Sequence, residues 1–147
     1  MTARVFVDTH VLVYARDRTD ADKHRRALAW MAGLWEKGSG RLSWQVLHEY
    51  YVTVTRKLDP PRARDDARED VSSLVTWRPV ALGLPVIDLA RRIEDEYGLS
   101  WWDALIVAAA QVAECDYLLS EDLQDGQDFD GVQVLSPFSR SPEEVLG

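Results

Sequence analysis

Ser100-Trp-Trp-Asp103-Ala-Leu-Ile-Val-Ala-Ala-Ala110 and, after a short connection, Tyr117-Leu-Leu119-Ser-Glu-Asp122 hold the pattern that decides the fold. The serine is a cap residue, and the alanine-rich run behind it predicts a closely buried helix over about residues 101–113. Residues 117–119 predict a short buried strand, with Asp122 standing just after the chain leaves it. Toward the N-terminus the same alternation returns. Residues 4–7 read as a buried first strand ending at Asp8. A helix is expected over about residues 22–35, with Ala27, Met31, Leu34 and Trp35 on one face and Gly38 closing it. Residues 41–43 predict a short strand, and Ser43 caps a helix running to about Lys57, in which Val46, Tyr50 and Val54 recur at helical spacing. Asp59-Pro-Pro61 is expected to open another helix whose stripe is Ala63, Ala67, Val71, Leu74 and Val75. Residues 80–82 predict a strand, 85–97 a helix stopped by Gly98, and 132–135 a last strand. Strands separated by such helices predict an α/β fold, a mainly parallel central sheet flanked by helices on both faces. Ligand sites in these sheets form beyond the carboxyl ends of the strands, which is where Asp8 and Asp122 fall.

The 147 residues suit one domain, and 46% hydrophobic with 29% charged residues excludes a disordered chain or a fibre. The longest apolar run, residues 104–110, is far short of the roughly 20 residues of a membrane helix. The single Cys115 excludes an internal disulfide and fits a reducing cytoplasm. A net charge of −8 argues against a nucleic-acid partner until its distribution is considered. Residues 121–147 carry seven acids against the single Arg140, which leaves −2 on everything before them. That earlier part holds basic clusters at Arg16/Arg18, Lys23/Arg25/Arg26, Arg56/Lys57, Arg62/Arg64/Arg68 and Arg91/Arg92, which are ordinarily solvated helix faces.

Four acids carry two readings each. Asp8 can shape a turn or cap a helix, with the Thr9 hydroxyl beside it, or it can line a site. Glu49 is a surface glutamate unless the arc it shares with Val46 faces the sheet, where a lone carboxylate is costly. Ser100 and Asp103 fit a capping box, although the apolar run that follows starts this helix close to the core. Asp122 can shape a turn, and Asp125, Asp128 and Asp130 read as loop solvation. Together, two lie near strand ends, one on an early helix and one at the start of a late helix, places a doubly wound sheet can bring to one crevice. Carboxylates about 5 Å apart repel by roughly 3 kcal/mol per pair at an effective dielectric constant near 20. Such a group holds protons or cations, and all-oxygen ligation suits Mg²⁺ or Mn²⁺. Zinc is disfavoured, because Cys115 stands alone and His10, His24 and His48 lack ligand spacing.

Val5-Phe-Val-Asp8-Thr9, the helix bearing Glu49, Asp103-Ala-Leu-Ile-Val-Ala-Ala-Ala110 and Leu118-Leu-Ser-Glu-Asp122 resemble the PIN-domain family, and within it the toxin nucleases of the VapBC toxin–antitoxin type. The resemblance covers nearly the whole chain. It implies one PIN-like domain over residues 1–147 and a Mg²⁺- or Mn²⁺-dependent endoribonuclease acting in the cytoplasm. The family's acids map onto Asp8, Glu49, Asp103 and Asp122, its polar partner onto Ser120, and Thr9 assists the first acid. Asp8, Asp103 and Asp122 are the expected direct ligands, with Glu49 reaching metal through water or deprotonating the attacking water. One departure is Gln124, where many such toxins carry a further aspartate; Asp125 is the available substitute. Implied partners are an RNA substrate guided by Arg16, Arg18, Lys23, Arg25 and Arg26, a cognate antitoxin and a second subunit. Six tryptophans raise base stacking. Trp30, Trp35 and Trp44 fit helix packing or a subunit contact better, and Trp101/Trp102 lie where a helix meets the core. A receiver-like Mg²⁺-binding module wants paired acids after its first strand and a late lysine, neither of which is present. An Asp8-nucleophile phosphatase lacks an acid at position 10, and the nucleotide-binding glycine motifs are missing. The non-enzyme alternative is a PIN-like scaffold that binds RNA or a partner without cutting.

Overall fold

The computed structural model describes residues 2–147. Strand β1 (Val5–Val7) leads through helix α1 (Thr9–Tyr14) into α2 (Ala21–Lys37), then β2 (Gly40–Arg41), α3 (Trp44–Arg56) and α4 (Arg64–Leu74). A 3₁₀ turn (Val75–Trp77) precedes α5 (Leu84–Tyr97) and α6 (Trp101–Val112). Strands β3 (Tyr117–Leu119), β4 (Asp128–Phe129) and β5 (Val132–Leu135) and helix α7 (Pro142–Leu146) complete the chain. The five-stranded sheet runs β2-β1-β3-β5-β4, parallel except for the β4–β5 pair. Val5, Phe6 and Val7 are all fully buried. Successive strand side chains point to opposite faces, so both faces of the sheet are covered.

The expected caps are in place. Ser43 Oγ accepts the Val46 N–H at 3.3 Å, and Gly38 and Gly98 close their helices in the left-handed region at φ 62° and 66°. Helix α4 starts later than the proline signal predicts. Pro61 disfavours helical geometry at Pro60, the Arg62 N–H donates back to the Val54 carbonyl at 2.8 Å, and Ala63 is still extended. The strand expected at residues 80–82 is a single bridge between Val80 and Ser43. Three elements were not anticipated: the six-residue α1, the two-residue β4, and α7, which starts with a Ser141/Glu144 capping box. Helix α7 is tied to the core by Trp30, whose buried indole N–H donates to Arg140 O at 2.9 Å. No helix of the described residues is long and apolar enough to cross a membrane.

Parallel register places the site. Val5 pairs with Tyr117 and Val7 with Leu119, so Asp8 and Ser120 leave the sheet side by side. The Asp8 N–H donates to Leu119 O at 3.1 Å, extending that register by one residue.

Strand β2 is packed tightly enough to be testable. A Cβ on Gly40 would meet three carbons of the buried Trp77 ring at 2.5–2.7 Å. Gly40→Ala is therefore expected to destabilise the fold by about 1–3 kcal/mol, measured by denaturant unfolding.

Candidate active site

Asp8 is the N-cap of α1, as its capping reading expects, and at the same time the most buried acid of a groove. Its carboxyl is buried. Oδ1 accepts the Thr9 N–H at 2.7 Å and Oδ2 accepts the Ser120 hydroxyl at 2.9 Å. Ser120, fully buried, also accepts the Asp122 N–H at 3.2 Å, so one hydroxyl sets the positions of both acids. Each Asp8 oxygen retains lone-pair capacity beyond the single donor it is given. Burial pushes the Asp8 carboxyl up from its ordinary 3.8, against the opposing influence of His10, Ser120 and Thr9, and the Asp122 charge adds to the rise.

The other acids face the same groove, a depression of ≈ 330 Å³. Asp8, Glu49, Asp103 and Asp122 all line it. Glu49 comes from α3, and its Oε1 accepts the Thr9 hydroxyl at 3.0 Å. Its carboxylate tip is open to solvent, yet partial desolvation by the groove walls raises its pKa; Thr9 opposes this, and the Asp8 and Asp103 charges reinforce it. Asp103 comes from the first turn of α6. Ser100 Oγ accepts its backbone N–H at 3.2 Å, but the reciprocal half of a capping box is not formed, so the Asp103 carboxylate is left for the groove. Asp122 is exposed as well, its side chain 61% accessible.

His10 is the functional residue that spacing rules did not find. Its Nε2 accepts the Glu121 N–H at 2.9 Å, which in the neutral ring assigns the proton to Nδ1. Nδ1 faces Asp122 Oδ2 at 3.3 Å and Asp8 Oδ2 at 3.8 Å. Asp8, His10 and Asp122 each offer an atom within 4.8 Å of the others. The available signal was its position two residues beyond a strand-end acid, in the first turn of a helix too short to be recognised by periodicity.

Neighbouring charges are paired off. Lys23 Nζ meets Glu121 Oε2 at 2.9 Å, and the Tyr14 hydroxyl donates to Glu121 Oε1 at 3.0 Å, so Glu121 is engaged away from the acids. Arg16 pairs with Asp70 at 2.9 Å, while Arg25 and Arg26 pair with Asp22 along α2. Arg18 is exposed in the loop between α1 and α2. Asp125 accepts the Ser136 N–H at 2.9 Å and is not among the residues lining the groove. Trp101 is half-buried as expected of a helix meeting the core, but Trp102 is 61% exposed on the groove wall.

The arrangement gathers oxygen donors around a buried, uncompensated negative charge. No Arg or Lys lines the groove among the described residues. The donor set fits a hard divalent cation of the Mg²⁺ or Mn²⁺ kind.

Comparison with known proteins gives the same architecture a lineage. The PIN domain family matches residues 5–129. A toxin–antitoxin complex from Klebsiella pneumoniae aligns with TM-score 0.65 at 18% identity, covering 90% of this chain and 97% of that one. VapBC2 from Rickettsia felis, bound to a DNA fragment from its promoter, aligns at 0.60 and 13%, covering 90% and 97%. Mycobacterium tuberculosis VapC20, a toxin that cleaves the sarcin–ricin loop, aligns at 0.56 and 18%, covering 78% and 86%. No curated protein matches the sequence.

Asp8 gives a test with a definite sign. Its folded pKa lies above its unfolded one, so the stability it contributes is complete below the unfolded value and is lost as pH rises through the folded value. At pH 7 the ionised group opposes folding. Asp8→Asn is expected to raise Tm at pH 7 in divalent-free buffer, by roughly 2–5 °C for each 1 kcal/mol relieved. The gap closes as pH falls toward 4, a trend read by thermal unfolding across pH.

Proposed function

This chain belongs to the PIN-domain family, and from that membership we propose that it is a divalent-metal-dependent endoribonuclease, the toxin of a toxin–antitoxin pair. The domain spans residues 1–147 and acts in the cytoplasm. The observation that carries this reading is the convergence of Asp8, Glu49, Asp103 and Asp122 on one groove with no Arg or Lys in its lining.

Asp8 and Asp122 would hold the cation from the strand-end side, and Asp103 from the α6 side. When bound, Mg²⁺ or Mn²⁺ supplies a water of lowered pKa and charge stabilisation for an in-line displacement at phosphorus. Ser120 fixes the two strand-end acids through its pair of hydrogen bonds. His10 keeps the Asp122 carboxylate directed inward through the Nδ1 contact. Glu49 accepts the proton of the attacking water. The Thr9 hydroxyl holds Oε1 in place. A cation held by these acids would set the negative charge of the substrate phosphate against positive charge rather than against bare carboxylates.

Partners follow from the same charge. An RNA backbone is repelled by the bare groove and admitted once cations occupy it. Arg18 is free to meet phosphates as it stands, whereas Arg16, Lys23, Arg25 and Arg26 would exchange carboxylate partners for phosphate. An antitoxin segment presenting Arg or Lys would neutralise the four acids without chemistry. The structural neighbour described as a toxin–antitoxin complex supports that partner. The functional protein is taken as a homodimer by the same family reasoning.

Induction of the wild type and of Asp8→Asn in a bacterium tests the reading. Growth arrest with new RNA ends in the wild type alone is the expected outcome. Equal arrest from both proteins would overturn the catalytic claim and leave the non-cleaving scaffold.

A further inference from the structure

Trp102 is the most exposed of the six tryptophans, at 61%. The other two exposed rings have aromatic neighbours: Trp35 lies 5.0 Å from Trp77 and Trp44 6.2 Å from His48, centroid to centroid. Among the described residues Trp102 pairs with no aromatic ring. It stands one residue before Asp103, and Ile106, one helical turn on, lines the same groove wall. Val13 of α1 adds a further apolar contribution to that groove.

The groove is thus acidic on one part of its lining and apolar on another. The acidic part suits a cation and a phosphate, but a phosphate has no use for an indole. No Arg or Lys lines the groove, so a bound cation and basic residues outside it are left to meet the backbone, and the uncharged part of the lining offers a separate hold on the base. A flat heterocycle joined to a phosphate is the chemistry that uses both parts. Stacking on an aromatic ring is tolerant of base identity and insensitive to the groove's charge.

We propose that the Trp102 indole is the stacking platform for a nucleobase of single-stranded RNA next to the phosphate drawn to the cation site of Asp8, Asp103 and Asp122, an inference that rests on the ribonuclease reading. Trp102 is a substrate-binding residue, separate from the carboxylates that carry the chemistry.

The test is equilibrium binding of two fluorescent probes in calcium buffer: a short 2′-O-methyl single strand of randomised sequence, and the same strand with abasic positions. Wild type is expected to bind the base-bearing strand about 10-fold more tightly than the abasic one. Trp102→Ala should abolish that preference with abasic binding unchanged, a control for the fold, and Trp102→Phe should keep the preference within about 3-fold. The proposal is overturned if wild type shows no preference, if Trp102→Ala retains it, or if Trp102→Phe loses it as fully as alanine does. Loss of self-association in Trp102→Ala with unchanged preference would assign the ring to a second copy of the chain and overturn it equally. Scission of ordinary RNA in Mn²⁺ is scored separately. Base preference without scission sinks the ribonuclease reading alone, and scission without base preference sinks the stacking inference alone.

Discussion

Asp8 leaves the end of β1 with its carboxyl buried, held by one backbone N–H and one serine hydroxyl, and without an Arg or Lys in the groove around it. Two neutral donors offset only part of the desolvation that burial imposes on a charge, which is why its pKa rises in spite of them. The parallel β1–β3 register makes the arrangement unavoidable, because it sets Ser120 beside Asp8 and brings Asp122 within reach of His10. Glu49 and Asp103 then add negative charge from the two helices that border the opening, and each raises the electrostatic demand for a cation.

The rest of the molecule keeps its own cations away from this demand. Tyr50, Arg16 and Arg62 all converge on Asp70, with contacts of 2.6–3.0 Å. Lys23 is held by Glu121 and lies 5.1 and 5.0 Å from the Tyr14 and Phe138 ring centroids. The Lys23–Glu121 pair has a positional consequence, since Glu121 adjoins Asp122 and its N–H also fixes His10. The exposed pairs along α2 contribute little to stability. Their effect is on where positive charge is free, and the acidic groove is left for an ion, a substrate or a partner.

Much of this was legible in the sequence because the strong signals were local. Ser43, Ser100, Gly38 and Gly98 set helix ends through their own backbone chemistry, and the apolar run after Asp103 could only be a buried helix. The acids at positions 8, 49, 103 and 122 could be nominated but not assembled, since each also had a capping or surface reading. Asp8 caps α1 and also lines the groove, while Asp103 keeps the Ser100 cap on its N–H without returning its carboxylate to it. What stayed hidden depended on long-range geometry. The position of Trp102 outside the core, the pairing of Lys23 with Glu121 and the role of His10 are set by which elements meet in space. Helix α1 escaped because Thr9-His-Val-Leu-Val-Tyr14 is too short for periodicity and rich in residues that favour strands. The late start of α4 was decided by Pro61 acting on the residue before it.

The most direct measurement of the central claim is a Mn²⁺ titration of the purified protein at pH 7, followed by the paramagnetic signal of the free ion. A site built by buried and converging carboxylates predicts that wild type removes Mn²⁺ from solution stoichiometrically at sub-millimolar ion, that Mg²⁺ competes for the same site, and that Asp8→Asn leaves the ion free. Equal Mn²⁺ uptake by Asp8→Asn, or none by the wild type, would contradict the account.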